Sequence, residues 1–242
     1  MHAENIKIAL LIDYDNLTEL QKSSGILDIA TRALMQLPKD ISETRGKCAI
    51  RIYGGWYEEQ SMTNLAQSLS VSMQDDFPAI IRIPTILGEP LSLTTNAELA
   101  RALVEEPSHH LFNTFRKKGR PANVRFLKPE DVGCTNTECS LQVAKNLLRT
   151  GRCPSNGCSV TRADLVYRNE QKIVDTMLTC DLLYYSKLEY DHIMLISGDD
   201  DFLPPLRTIL LRGAKVYRVH PTSSNYRAPI HIAGTQLHEM EL

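Results

Sequence analysis

Two short apolar runs, far apart in the chain, each end in aspartates, and the rest of the pattern is arranged around them. Ile6 to Ile12 reads Ile-Lys-Ile-Ala-Leu-Leu-Ile and runs into Asp13-Tyr14-Asp15-Asn16. Ile193 to Ile196 runs through Ser197-Gly198 into Asp199-Asp200-Asp201-Phe202. Near-continuous apolar runs of this length suit central parallel strands covered on both faces. After the second run, Leu203-Pro204-Pro205-Leu206 places prolines where the first turn of a helix lacks partners for its N–H groups anyway. The acids therefore fall where a strand hands over to a helix, the edge at which open α/β sheets bind ligands.

The intervening pattern alternates between strand and helix periods. Helical spacing is expected over Asp28 to Gln36, Gln60 to Ser72, Asn96 (as N-cap) to Val104, Ser108 to Lys118, Asn169 to Lys187 and Leu203 to Arg212, where Gly213 stops the last. Strands are expected at Cys48 to Tyr53, Ala79 to Ile83, Asn123 to Leu127 and Lys215 to Val219. The stretch before Thr95 reads as irregular, and the tail from Pro221 has no clear period. Strands alternating with helices predict a largely parallel sheet flanked on both faces.

Composition narrows the class. With 242 residues, 43% of them hydrophobic and 23% charged, the chain can bury one sizeable core and carry an insertion. A net charge of −2 excludes a general basic coat for nucleic acid, so a polyanion needs a local patch or a metal. No apolar run is long enough to span a membrane, and the first apolar run is a short strand broken at Asp13 rather than a signal peptide. The expected compartment is the cytoplasm, where six cysteines point to thiols or metal ligands before disulfides.

Asp13, Asp199 and Asp201 end strands that can be neighbours, and a helix crossing their edge can present Asp175 to them. Asp181 lies six residues further on, about 120° around the same helix. Clustered carboxylates repel and lose solvation, so such a set is costly without a cation. Mg²⁺ or Mn²⁺ prefers oxygen ligands, makes a bound water more acidic and shields the charge of a phosphodiester. Each acid also has a plainer role: Asp201 can cap the helix at Leu203, Asp199 can serve a turn, Asn16 can cap a helix at Leu17, and Asp181 can sit in a salt bridge.

Three blocks in order, Ile12-Asp13-Tyr14-Asp15-Asn16, Lys172-Ile173-Val174-Asp175 with Asp181, and Ser197-Gly198-Asp199-Asp200-Asp201-Phe202, resemble the signature blocks of NYN-domain proteins, a branch of the PIN-like nucleases. The resemblance implies a PIN-like three-layer α/β/α sandwich with a mostly parallel central sheet and Mg²⁺- or Mn²⁺-dependent RNA cleavage, with RNA favoured over DNA. The family's acids fall on Asp13, Asp175, Asp199 and Asp201, with Asn16 and Asp181 close by; Asp15 and Asp200 occupy variable positions. The alternatives are a non-catalytic PIN-like module that binds RNA or protein, and an aspartyl-phosphate phosphatase suggested by Asp13-x-Asp15.

Between Gly133 and Cys158 the character changes. Cys134 and Cys139, then Cys153 and Cys158, form two C-x4-C pairs, with a short helix expected over Leu141 to Leu148. Four thiolates suit a structural Zn²⁺; two disulfides or four free thiols are the rival readings. This gives a single domain over 1–242 with a cysteine-rich insertion at 133–160, whose roles include bracing the fold, extending a groove or forming a homo-oligomer contact. Cys48 and Cys180 read as core thiols. For substrate grip the candidates are Lys117 and Lys118 in the run from Arg116 to Arg120, together with Lys172 and Arg207, though such runs are more often solvated helix ends. Tyr14 or Trp56 can stack a base.

Overall fold

Ile6–Asp13 forms the first strand, β1, and every residue of it except Lys7 is buried. Alternate side chains enter two separate cores: Ile8, Leu10 and Ile12 on one face, Ala9 and Leu11 on the other. A strand that must satisfy two cores carries no polar face, which is why its sequence reads as a continuous apolar run. This is a computed structural model, and it describes residues 5–86, 88–118, 140–153, 157–162, 168–171, 173–223, 230–232 and 235–242.

In chain order, β1 is followed by helices α1 (Glu19–Ser24) and α2 (Ile26–Leu34), β2 (Arg45–Tyr53), the small hairpin of β3 (Tyr57–Glu58) and β4 (Ser61–Met62), and α3 (Asn64–Asp76). Next come β5 (Ala79–Ile83), β6 (Leu91–Leu99), β7 (Phe115–Lys118), α4 (Ser140–Thr150) and β8 (Arg168–Gln171). The chain continues with α5 (Val174–Tyr185), β9 (His192–Ile196), α6 (Leu203–Leu211), β10 (Lys215–His220), β11 (Ile230–Ile232) and β12 (Thr235–Glu241). Eight strands form one sheet in the order β11-β12-β10-β9-β1-β2-β6-β5. The six inner strands are mutually parallel, and an antiparallel strand closes each edge.

Residues of α2 and α3 pack on one face of this sheet, and residues of α5 and α6 pack on the other. The chain leaves β1 toward β2 on one side, then returns to β9 on the other. The topological switch point therefore lies between β1 and β9, where the acid-tipped ends sit side by side. The chain divides into two units: Met1–Thr114 with Lys172–Leu242, which holds the large sheet, and Phe115–Gln171. The second unit contains α4 and the antiparallel pair β7–β8. It is wider than the 133–160 insertion expected from the cysteine pattern.

Several expectations change. Asn96 does not cap a helix; it lies in β6, where Leu91, Leu93 and Thr95 are fully buried and Thr94 and Asn96 are exposed. That period of two, with β2 as a ready partner, outweighs the local capping preference of one Asn. Of the stretch to Thr95, read as irregular, Leu91 onward belongs to the same strand. Residues 108–114 are not helical, and Phe115–Lys118 is extended because it pairs with β8, fifty or more residues away. The long helix begins at Val174 rather than Asn169. The tail supplies β11 and β12, two strands with no clear alternation in sequence. The strand expected at Asn123 to Leu127 lies outside the described residues.

Gly213 stops α6 as expected: its φ is +85°, and its N–H donates to Leu210 O at 2.9 Å.

Candidate functional site

Asp13 ends β1 in parallel register with Tyr53 and is 4% exposed. Its Oδ2 accepts from Asn16 Nδ2 at 2.6 Å and from Ser197 Oγ at 2.9 Å. Tyr14–Asn16 forms a 3₁₀ turn rather than the start of a helix, and Thr18 caps α1. Asn16 is thus free of capping duty; its Oδ1 accepts the Gly198 N–H at 3.2 Å. Beyond β9, Ser197 Oγ accepts from Asp199 N at 3.1 Å, and Asp199 Oδ1 accepts from Asp201 N at 2.9 Å. The turn role weighed for Asp199 is therefore real. Its second carboxylate oxygen leaves further acceptor capacity. One hydrogen-bonded chain ties the loop after β1 to the loop after β9.

Asp175 reaches the same place from α5. Ile173, β-branched, holds a left-handed φ of 59° at the helix N-cap, a strained start two residues before Asp175. Desolvation raises the Asp175 pKa, and the charges of Asp199 and Asp201 raise it further. Asp13 is pushed up to about 6, first by burial and then by Asp175 and Asp15, while hydrogen bonds from Ser197 and Asn16 act the other way. Asp15, exposed beside the site, is likewise raised by desolvation and by Asp175, with Lys22 opposing. Asp175 thus lies within electrostatic reach of Asp13 from one segment and of Asp199 and Asp201 from another.

The donors are all carboxylate oxygens, which is the chemistry a hard divalent cation selects. Among the described residues no group of three or more His, Cys, Asp or Glu side chains is drawn close enough to enclose an ion.

Asp181 stands apart. It is 1% exposed, accepts from Tyr53 OH at 2.7 Å and from Val104 N at 2.8 Å, and lies 3.1 Å from Arg51 Nε. Arg51 also pairs with Glu98 and donates to Ala102 O. Asp181 therefore fastens α5 to β2 and to the segment after β6. The 120° between it and Asp175 places one on the packed face of α5 and leaves the other exposed.

Asp200 points elsewhere. It pairs at 3.3 Å with Arg218, a fully buried guanidinium on β10 whose Nε donates to Ser197 O at 3.1 Å. Sequence reasoning missed Arg218; the signal was a cation inside an otherwise buried strand, which needs acceptors to be tolerated. Ser197 was quoted only as part of a block, yet it links Asp13 to Asp199.

Other expectations fare unevenly. Trp56 is fully buried, meets the buried Tyr14 edge-on at 5.7 Å and donates to Ile52 O, so neither ring is free to stack a base. Arg207 is exposed on α6. Lys117 and Lys118 lie on β7 in the smaller unit. Lys172, Cys134 and Cys139 lie outside the described residues. Cys153 N–H donates to Val160 O at 3.0 Å, and Gly151 and Gly157 take positive φ as tight loops require. Cys158 is exposed. Among the described residues Cys153 and Cys158 belong to no cluster that could hold a metal ion. Cys48 is buried, with its thiol pushed up by desolvation; Cys180, expected in the core, is exposed on α5.

Residues 134–229 match the family model of the NYN domain. That stretch, less than half of the chain, is similar to the NYN domain. The match takes in Asp175, Asp199 and Asp201, while Asp13 and Asn16 lie before it and are joined to it by the Ser197 and Gly198 hydrogen bonds. NYN domains are a branch of the PIN-like nuclease family. No curated protein and no solved structure matches the chain. Among the described residues no helix is long and apolar enough to cross a membrane.

Proposed function

We propose that this protein is a metal-dependent endoribonuclease whose centre is Asp13, Asp175, Asp199 and Asp201. The observation that carries the reading is the electrostatic reach of Asp175 to Asp13, Asp199 and Asp201 at the switch point, beside the buried Asp13 whose pKa is raised to about 6. Such an arrangement is unfavourable on its own and favourable around a cation. Mg²⁺ or Mn²⁺ held by these carboxylates would offset their repulsion, neutralise phosphodiester charge and make water a better nucleophile. Asn16 and Ser197 hold Asp13 in one orientation from two sides, and Ser197 also positions the Asp199 backbone. Arg207, Lys172, Lys117 and Lys118 are the proposed contacts to substrate phosphates.

The second reading is a non-catalytic PIN-like module that binds RNA or protein. It is favoured by one observation: the described acids are not already drawn together to enclose an ion. Cleavage of single-stranded RNA in Mn²⁺ or Mg²⁺, with a chelator control, separates the two. The nuclease reading expects chelator-sensitive cleavage that Asp199→Asn lowers by about 100-fold or more, with the fold intact. Unchanged turnover in that variant rejects the assignment.

A further inference from the structure

Charge in this chain is segregated by unit. Residues 115–171 hold eleven lysines and arginines against five acids, a net of +6. The remaining 185 residues hold sixteen cations against twenty-four acids, a net of −8. All seven histidines fall outside 115–171, so the contrast does not depend on histidine protonation there. The near-neutral total conceals both fields. An acidic unit repels a polyanion, so a nucleic acid brought to Asp13 and Asp199 needs a cationic element to offset that field.

Among the described residues, cations of the smaller unit lie on β7, α4 and β8. In α4, Lys145 and Arg149 are four residues apart and share a helix face. Arg149 is exposed, as is Arg152 just beyond Gly151. In the β7–β8 pair, three consecutive cations, Arg116, Lys117 and Lys118, have Glu170, Asn169 and Arg168 as register partners. A solvated helix end explains one basic run; it does not explain an excess of cations across two strands and a helix.

We infer that the smaller unit, through β7, β8 and α4, is the nucleic-acid grip of the protein, binding the sugar–phosphate backbone of single-stranded RNA or DNA. The inference deepens the nuclease reading and rests on it for the destination of the bound strand.

The test uses the full chain with Lys117→Gln, Lys118→Gln, Lys145→Gln and Arg149→Gln combined. A control chain carries four neutralised cations on the larger unit: Arg32→Gln, Lys39→Gln, Lys47→Gln and Arg82→Gln. Anisotropy of labelled single-stranded RNA, and of DNA of the same sequence, is followed against salt in chelator, with thermal unfolding confirming that both variants fold. The grip predicts at least about tenfold weaker binding and a log K against log salt slope shallower by up to about 3 for the first variant only. Loss of both polymers assigns the grip to phosphates, and loss of RNA alone extends it to ribose; either upholds the inference. Binding unchanged in the first variant, or weakened equally in the control, overturns it. RNA cleavage with wild-type binding in the first variant would leave the nuclease reading standing while the grip fails; lost binding in a chain that never cleaves would do the reverse.

Discussion

Ser197 Oγ donates to Asp13 Oδ2 at 2.9 Å across the seam between β1 and β9, joining residues 184 positions apart. The bond favours the ionised carboxylate, against burial and against Asp175 and Asp15, which together hold the Asp13 pKa near 6. Ser197→Ala removes it and should raise that pKa further. The expected cost is about 1.5–3 kcal/mol at pH 7.5, where Asp13 is charged, and clearly less at pH 5, where it is largely protonated. Urea unfolding at the two pH values checks this. Equal losses at both would mean the hydroxyl acts only through packing or through Asp199.

Asp175 and Asp181 share a helix but not a task. Asp181→Ala leaves Arg51 buried beside Glu98 alone and should destabilise the protein by about 3 kcal/mol. Asp175→Asn, which removes one of several repelling charges, should leave the midpoint of unfolding unchanged or slightly higher while abolishing RNA cleavage. Thermal unfolding together with a cleavage assay distinguishes them. A stable, inactive Asp181→Ala would return that residue to the catalytic set.

His192 supplies the clearest acid sensitivity away from the acids. It is buried at the start of β9, its Nδ1 lies 3.0 Å from Tyr217 OH, and burial followed by Lys215 pushes its pKa down to about 4, with Asp191 and Glu43 opposing and His238 assisting. The folded state therefore prefers neutral imidazole. That stability is fully present above the ordinary histidine pKa of about 6.5 and is lost as pH falls toward 4, up to about 3 kcal/mol. His192→Phe should flatten that part of the stability–pH curve measured in urea. An unchanged slope between pH 6.5 and 4 would place the sensitivity elsewhere.

The sequence carried the centre of this fold more clearly than its edges. β1 and β9 face two cores, so their apolar runs are continuous and their terminal acids conspicuous. β6 was hidden because Asn96 mimics a helix cap, and only the partner strand β2 reveals the alternation of Leu91, Leu93 and Thr95. β7 and β12 owe their form to partners remote in sequence or to a central neighbour, which local pattern does not encode. α5 is apolar on most sides, so spacing gave the angle between Asp175 and Asp181 without saying which faced the core. Arg218 was invisible for a related reason. A lone cation in a strand acquires meaning only once Asp200, Glu239 and the Ser197 carbonyl surround it.

Direct titration with Mn²⁺ by calorimetry, on the wild type and on Asp13→Asn, Asp175→Asn and Asp199→Asn, bears most immediately on whether these carboxylates form one site. Saturable binding by the wild type, weakened at least about tenfold by each single substitution, is the predicted result. Binding that persists unchanged in all three variants, or is absent from the wild type, would contradict it.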